Sequence, residues 1–392
     1  MLWAKRLLGL FLLLFTPVLL LRTLTPIYDF SQGRPFAGEH WYNPFSAETL
    51  TWSRANFHIH SRTWGGITNG YQMPSEIRRV YDSLGYAWIG ISDYQRINPE
   101  SPIPVYEHGW SIGKVHQLCF WATSVLWWDY PLWQTLSAKQ HVLRLLRPTT
   151  PFLVVAHPQF RPYQTYTGSE LAQLGGYDAV EVLNRYGDSV AEWDSALSSG
   201  HFASIIASDN AHDVHNPHQV MSRWTEVNLP PGAPLESLQV ALLAGRTVGY
   251  KNRTPYPIRL GAYPLFTEIA LIGDTMVEVR LSQVVDSLRL IGQGGQVRAV
   301  AYQTDHLMYR IKRDDTYLRA EAYTREVEVY SSPLVRGAPV RRGIPPIHWG
   351  LTVLSSLGWG SLTLLIGYLG LRLFRARRDK QVRDKSPVPP PE

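Results

Sequence analysis

The stretch Asn56-Phe57-His58-Ile59-His60-Ser61 sets two histidines two residues apart. In an extended chain alternate side chains share a face, so His58 and His60 project together while Phe57 and Ile59 turn the other way into a core. Two adjacent imidazoles on one face are a metal-ligand pattern. More donors of the same kind follow: Glu107 in VYEHGWS, His116 in KVHQL, His157 in VVAHPQF, and Asp209 with His212 in ASDNAH. Imidazole and carboxylate without thiolate suit Zn, Mn or Fe in a hydrolytic site. Any one of these, alone at a strand end, reads as an ordinary satisfied side chain. The ordered set reads as a metal centre.

The elements that must position these residues are short. Between 55 and 250, apolar segments at 55–60, 86–92, 115–122, 152–157, 179–184, 202–209 and 225–229 alternate with helical patterns at 74–84, 134–146, 188–199 and 234–245. This βα rhythm predicts an α/β domain with a largely parallel sheet or barrel. His60, Asp93, His157, Asn184 and Asp209 fall at or just past the C-terminal ends of the strand segments, where a βα barrel builds its active site. From about residue 255 the segments shorten, alternate and are broken by Gly, Asp and Ser. That pattern predicts a small antiparallel β-sandwich of about 80 residues.

Composition narrows the function classes. The chain has 392 residues, 45% of them hydrophobic, enough for one large domain and a smaller one. Its net charge of +6 sits at the ends: the flanks hold ten of the 38 basic residues and three of the 32 acidic ones, leaving 28 against 29 between them. A neutral middle disfavours nucleic acid as partner. Residues 7–21 are an uncharged run behind Lys5 and Arg6, either a signal peptide or an uncleaved anchor, and the anchor is favoured because no small-residue cleavage site follows. Residues 349–371 form a second uncharged run, long enough to cross a bilayer and followed at once by a basic cluster. The expected layout is an N-terminal anchor at 1–25, a barrel at 30–254, a sandwich at 255–340, a span at 349–371 and a basic tail at 372–392. Both termini would then be cytoplasmic, the lipid bilayer would be a partner at both ends, and the catalytic domain would face away from the cytoplasm. The single Cys119 forms no internal disulfide and reads as a buried strand residue.

In its ordered HxH, Gly-Tyr followed by Ser-Asp, Glu, His, Ala-His-Pro and Ser-Asp-x-x-His over about residues 54 to 250, the sequence resembles the PHP (polymerase and histidinol phosphatase) metallohydrolases. The resemblance implies a distorted TIM-like barrel of seven βα units and phosphoester hydrolysis with two or three metal ions. It implies further that His58, His60, Glu107 and Asp209 hold one metal, and that Glu107, bridging, holds a second with His116 and His157. The later strands look like a small β domain appended to some exported members. The sequence departs from the family pattern at Tyr94, where Ser92-Asp93 is usually followed by His, and in SRTWGGITNG, which lacks a usual histidine. Two divalent ions are therefore expected rather than three, with Asp93 and His212 left for proton transfer.

Arg62, Lys114 and Arg161 lie a few residues from expected ligands and are candidates to clamp a substrate phosphate, although each also reads as solvated surface. Asn184 is a further candidate for substrate binding. His108 must point away from Glu107 if their segment is extended, His215 and His218 read as surface, and Trp193 as core. Three readings fit the aromatic run at 121–133: a lid, a membrane-interface contact, or ordinary packing. The leading expectation is a membrane-anchored two-metal hydrolase that cleaves a small or lipid-like phosphoester. Hydrolysis of a carbamate, amide or ester, and a non-catalytic metal-stabilised binding module, are the alternatives.

Overall fold

The structure is a computed structural model that describes residues 2–46, 50–254 and 263–375. The start of the expected sandwich at 255–262 and most of the basic tail lie outside the described residues. In chain order the elements are α1 (Leu2–Thr23), β1 (Trp41–Tyr42), β2 (Trp52–Asn56), α2 (Pro74–Ser83), β3 (Trp88–Ile89), β4 (Val105–His108), β5 (Gln117–Phe120), α3 (Leu136–Leu146), β6 (Phe152–Val155), α4 (Gly168–Leu171), β7 (Ala179–Asn184), α5 (Val190–Ser198), β8 (Ser204–Ser208), β9 (Arg223–Asn228), α6 (Leu235–Ala244) and β10 (Thr247–Asn252). After these come β11 (Phe266–Ile272), β12 (Met276–Gly292), β13 (Gln296–Arg310), β14 (Tyr317–Tyr323), β15 (Val327–Ser331), β16 (Leu334–Arg336) and α7 (Trp349–Arg375). The chain divides into two compact units, one formed by 1–29, 130–141 and 346–392 and the other by 30–129 and 142–345.

The second unit is mixed α/β. One curled sheet runs β1-β16-β14-β15-β10-β9-β2-β3, with β11, β12 and β13 joined to it through β14; a five-stranded sheet runs β4-β5-β6-β7-β8. Among the described strands, parallel ladders join β2–β3 and β6–β7–β8. The βα rhythm implied more, but β4 and β5, joined by a short loop without a crossover helix, pair antiparallel, and β5 pairs antiparallel with β6 although α3 lies between them in the chain. Two isolated parallel bridges, Ile59 to Ala211 and Tyr94 to Glu107, link residues just past β2 and β8, and past β3 and within β4.

The strands of 266–336 are antiparallel, as their alternation predicted, yet they pair into the same sheet as β2, β9 and β10. The join is specified by a buried group. Arg319 on β14 donates through Nε and Nη2 to both Asp194 oxygens on α5, at 2.9 and 2.7 Å, bonds Glu321, and lies over the Trp193 ring at 4.9 Å. Trp193 is fully buried, as expected.

Local sequence sets the elements. α2 opens with Pro74, whose missing N–H falls where no helical partner exists, and buries Ile77 and Tyr81 one turn apart. β7 is buried along its whole length, the pattern of a strand covered on both faces. Phe57 packs edge to face on Phe120 at 5.3 Å within one core cluster, and Ile59 enters a second.

In the first unit, α1 and α7 are long and apolar enough to cross a membrane, by length and composition. Only 11% of the α1 window and none of the α7 window is buried, which separates them from core helices. They pack closely where side chains are smallest: a Cβ on Gly9 would lie 2.9 Å from the Gly370 carbonyl oxygen. Beside them, Thr25 Oγ1 and the Tyr130 hydroxyl share a 2.7 Å hydrogen bond.

Candidate metal centre

Glu107 on β4 is the centre of the site. Its Oε1 lies 2.6 Å from His116 Nδ1, 3.0 Å from His157 Nε2 and 3.3 Å from His58 Nε2, and its Oε2 lies 3.2 Å from His60 Nε2. All five side chains are buried. They form two triads that share the carboxylate, His58–His60–Glu107 and Glu107–His116–His157, each with its ligand atoms within 4.8 Å of one another.

The chain delivers these residues by local means. His58 and His60 leave β2 on one face, ring centroids 5.1 Å apart, while Phe57 and Ile59 fill the cores behind them. The loop from Glu107 to His116 turns at Gly109, whose φ is +126° and whose Cβ, if present, would stand 2.4 Å from the His116 ring. That loop is held by Asp129, which accepts from the Trp110 and Ser111 amides at 2.8 and 3.0 Å. His157 sits at φ +30°, and Lys114, two residues before His116, and Asn210, two residues before His212, also have positive φ. Such strain in non-glycine residues gathers at functional sites.

A second carboxylate orients the first histidine. Glu181, in the middle of β7, places Oε1 2.9 Å from His58 Nδ1 and accepts the His157 amide through Oε2 at 3.0 Å. Accepting a proton from Nδ1 leaves Nε2 of His58 facing Glu107, the tautomer a metal requires. Glu181 was missed in the sequence; its signal was a lone carboxylate between valines in a strand that reads as buried, where a charge needs a partner.

Electrostatics agree with a cation site. Burial works against the Glu107 carboxylate, but His116 and His58 outweigh it and hold its pKa well below the usual range. Burial would lower His58, yet Glu181 and Glu107 raise it to about 10. A divalent cation at Nε2 would compete with that proton. Burial lowers His60 and His116, keeping them neutral and available as ligands. Among the described residues, His58 Nε2, both His60 ring nitrogens and Glu107 Oε2 are buried without a hydrogen-bond partner. Unpaired polar atoms of this kind cost about 1–3 kcal/mol each. These orphaned atoms belong to the His58–His60–Glu107 triad, and both overlapping triads offer donors that could hold metal ions.

Other expected site residues stand differently. Asp209 lies outside both triads: Oδ2 accepts from Asn56 Nδ2, the Tyr81 hydroxyl and the Met221 amide, and Oδ1 from the Ser222 amide and hydroxyl and the Arg223 amide. Asp93 accepts from the Ser61 amide and hydroxyl and from Asn98 Nδ2, at 2.7–2.9 Å. His212 stacks on His60 with centroids 4.4 Å apart, and Tyr94 stacks on the same ring at 4.3 Å. Asn184 is buried and accepts the Tyr186 amide at 2.9 Å. Arg62 and Arg161 are exposed and Lys114 half-buried. His108 turns away from Glu107 to Gln117 and the Trp128 carbonyl, while His215 and His218 are exposed, as the sequence implied.

A cation absent from the sequence candidates lines the site. Arg185 stacks over Tyr186 at 4.4 Å and donates to its hydroxyl and to the Asn210 carbonyl; Tyr186 in turn meets Phe160 at 4.6 Å and His212 at 6.5 Å. Its signal was position, one residue past the strand-end Asn184. No family model, curated protein or solved structure matches the chain, so the chemistry rests on this geometry alone.

Proposed function

We propose that the chain is a two-metal phosphoesterase of the PHP type, tethered to a membrane by its terminal helices. The observation that carries this reading is the pair of buried triads meeting at Glu107. His58 and His60 would hold one ion and His116 and His157 the other, with Glu107 bridging. Bound there, the ions would supply a nucleophile at neutral pH and neutralise charge on a phosphoryl group. The two bridges at Ile59–Ala211 and Tyr94–Glu107 support a closed, barrel-like arrangement of the second unit.

The protein's own residues account for the rest. Glu181 fixes the His58 ring and the His157 backbone. Arg185 is the cation best placed to receive a phosphate, since its guanidinium stands on Tyr186 beside His212. His212 is held neutral by burial and by neighbouring His60 and Arg185, so it stands stacked on His60 as a hydrogen-bonding group rather than a strong base. Asp93, saturated by Ser61 and Asn98, positions the loop after His60 rather than moving a proton.

The test is hydrolysis by the purified full chain supplied with Mn, Zn or Fe. The substrates are p-nitrophenyl phosphate, its bis-ester and an aryl carbamate. Phosphoester turnover that disappears in Glu107→Ala supports the reading. Turnover of the carbamate alone would replace the phosphoester with an acyl substrate, and no turnover with any metal would sink the catalytic claim.

A further inference from the structure

The loops that carry the metal ligands also carry large apolar side chains left in water. Ile67 and Tyr71, in the loop after His60, are 89% and 67% exposed; Trp64 in that loop, Trp110 and Ile112 in the Glu107–His116 loop, and Trp127 are exposed as well. The three tryptophans are connected. The Trp64 and Trp127 rings meet edge to face at 6.0 Å, and Trp110 Nε1 donates to the Trp127 carbonyl at 3.3 Å. Trp64 Nε1 donates at 2.8 Å to the carbonyl of Tyr94, which stacks on the ligand His60. An apolar collar is thus built directly onto the site.

Leaving such surface in water forgoes the stabilisation that burying it would bring. Large exposed apolar side chains clustered on neighbouring loops in this way mark an interaction site. The same loops are cationic at their edges. Arg62 lies against the Gly66 turn, Arg96 bonds the Thr63 hydroxyl, and Lys114 and Arg161 follow in the neighbouring loops. Tryptophan and tyrosine beside Arg and Lys are the composition that settles at an anionic lipid–water interface. In the chain, residues 24–29 and 346–348 are all that separate this unit from the two long apolar helices at its ends.

We infer that this collar docks on the surface of an anionic bilayer, with Ile67, Ile112 and the tryptophans in the interfacial layer and the surrounding cations against lipid headgroups. The inference rests on the membrane-tether part of the proposed function and not on its hydrolytic part. An apolar face docked in this manner sinks about 5–10 Å into the boundary between headgroups and acyl chains.

The test uses the full chain in nanodiscs of phosphatidylcholine, with and without phosphatidylglycerol, and a bimane label on Ile67→Cys, Ile112→Cys or, as a distant exposed control, Glu326→Cys. The native Cys119 is buried, with its thiol pushed up to about 12 by burial, so the introduced cysteine takes the label. Lipids brominated on their acyl chains should remove most of the emission at 67 and 112 and leave that at 326 unchanged, more strongly with phosphatidylglycerol present. Unchanged emission at both loop positions, or equal loss at all three, overturns the collar, whether or not the protein hydrolyses anything. Equal quenching with and without phosphatidylglycerol overturns its cationic half. Failure to enter nanodiscs at all would remove the membrane tether and the collar with it, while leaving the metal site to its own assay.

Discussion

Replacing Glu181 by Gln tests whether the buried carboxylate behind His58 tunes a metal ligand or fills space. The side chains have nearly the same shape, so packing is preserved. The hydrogen bonding is not. Glu181 now faces two donors, His58 Nδ1 at 2.9 Å and the His157 amide at 3.0 Å, and an amide offers one acceptor and one donor group to those two positions. If the amide oxygen keeps the His157 N–H, its NH₂ faces His58 Nδ1, drives the ring proton to Nε2 and blocks the ligand atom. If it keeps His58, two N–H groups face each other in a fully buried site, which costs about 1–3 kcal/mol. Loss of an orienting partner behind a metal-bound histidine weakens binding about 10–100-fold, equivalent to about 1.4–2.7 kcal/mol. Titration calorimetry of Mn or Zn into the full chain should show that loss in one of two sites, with the His116–His157 site less affected. Affinities within twofold of wild type at both sites would refute the orienting role.

Three further outcomes follow from the same geometry. Arg319→Met leaves Asp194 and Glu321 buried without their cation and should destabilise the second unit by about 3–5 kcal/mol in urea unfolding; a change under about 1 kcal/mol contradicts the account of the α5–β14 join. His201 is stacked on Tyr177 at 4.0 Å, and burial lowers its pKa to about 3. The unfolded chain takes up its proton near pH 6.5 and the folded one does not, so stability is complete above that pH and falls as the pH drops toward 3, by about 2 kcal/mol at pH 5. His201→Gln should remove that increment of acid sensitivity between pH 7 and 5, and an unchanged acid slope would show that the imidazole is not held neutral. Arg185→Gln should raise KM for p-nitrophenyl phosphate by about 10-fold or more, given the strength of charge-assisted bonds to phosphate, while metal stoichiometry stays at the wild-type value; an unchanged KM removes Arg185 from substrate binding.

Much of the site was legible because it depends on short-range periodicity. The two-residue spacing of His58 and His60, set against buried Phe57 and Ile59, fixes their common face whatever the sheet does beyond them. The four helical patterns likewise appear within a residue or two of their expected ends, since capping and amphipathic signals are local. What was not legible depends on pairing between distant segments. Alternation in 266–336 marks strands but not their partners, and only the fold places β15 beside β10 and Arg319 on Asp194. For the same reason a carboxylate in the right motif can go elsewhere: Asp209 turns to Asn56, Tyr81 and the 221–223 backbone. Glu181 and Arg185 were visible as residue types, but their nearness to His58 and His212 arises from tertiary packing.

The central claim is that one buried glutamate joins two cation sites, and metal stoichiometry tests it most directly. The full chain, stripped with chelator, reloaded separately with Mn, Zn or Fe and freed of loose ions, should retain about two ions per chain by mass spectrometric elemental analysis, as a carboxylate-bridged pair requires. Glu107→Ala should retain neither at stoichiometric level while the protein stays folded by circular dichroism. One ion or none in the wild type under all three supplies, or two ions in Glu107→Ala, would contradict it.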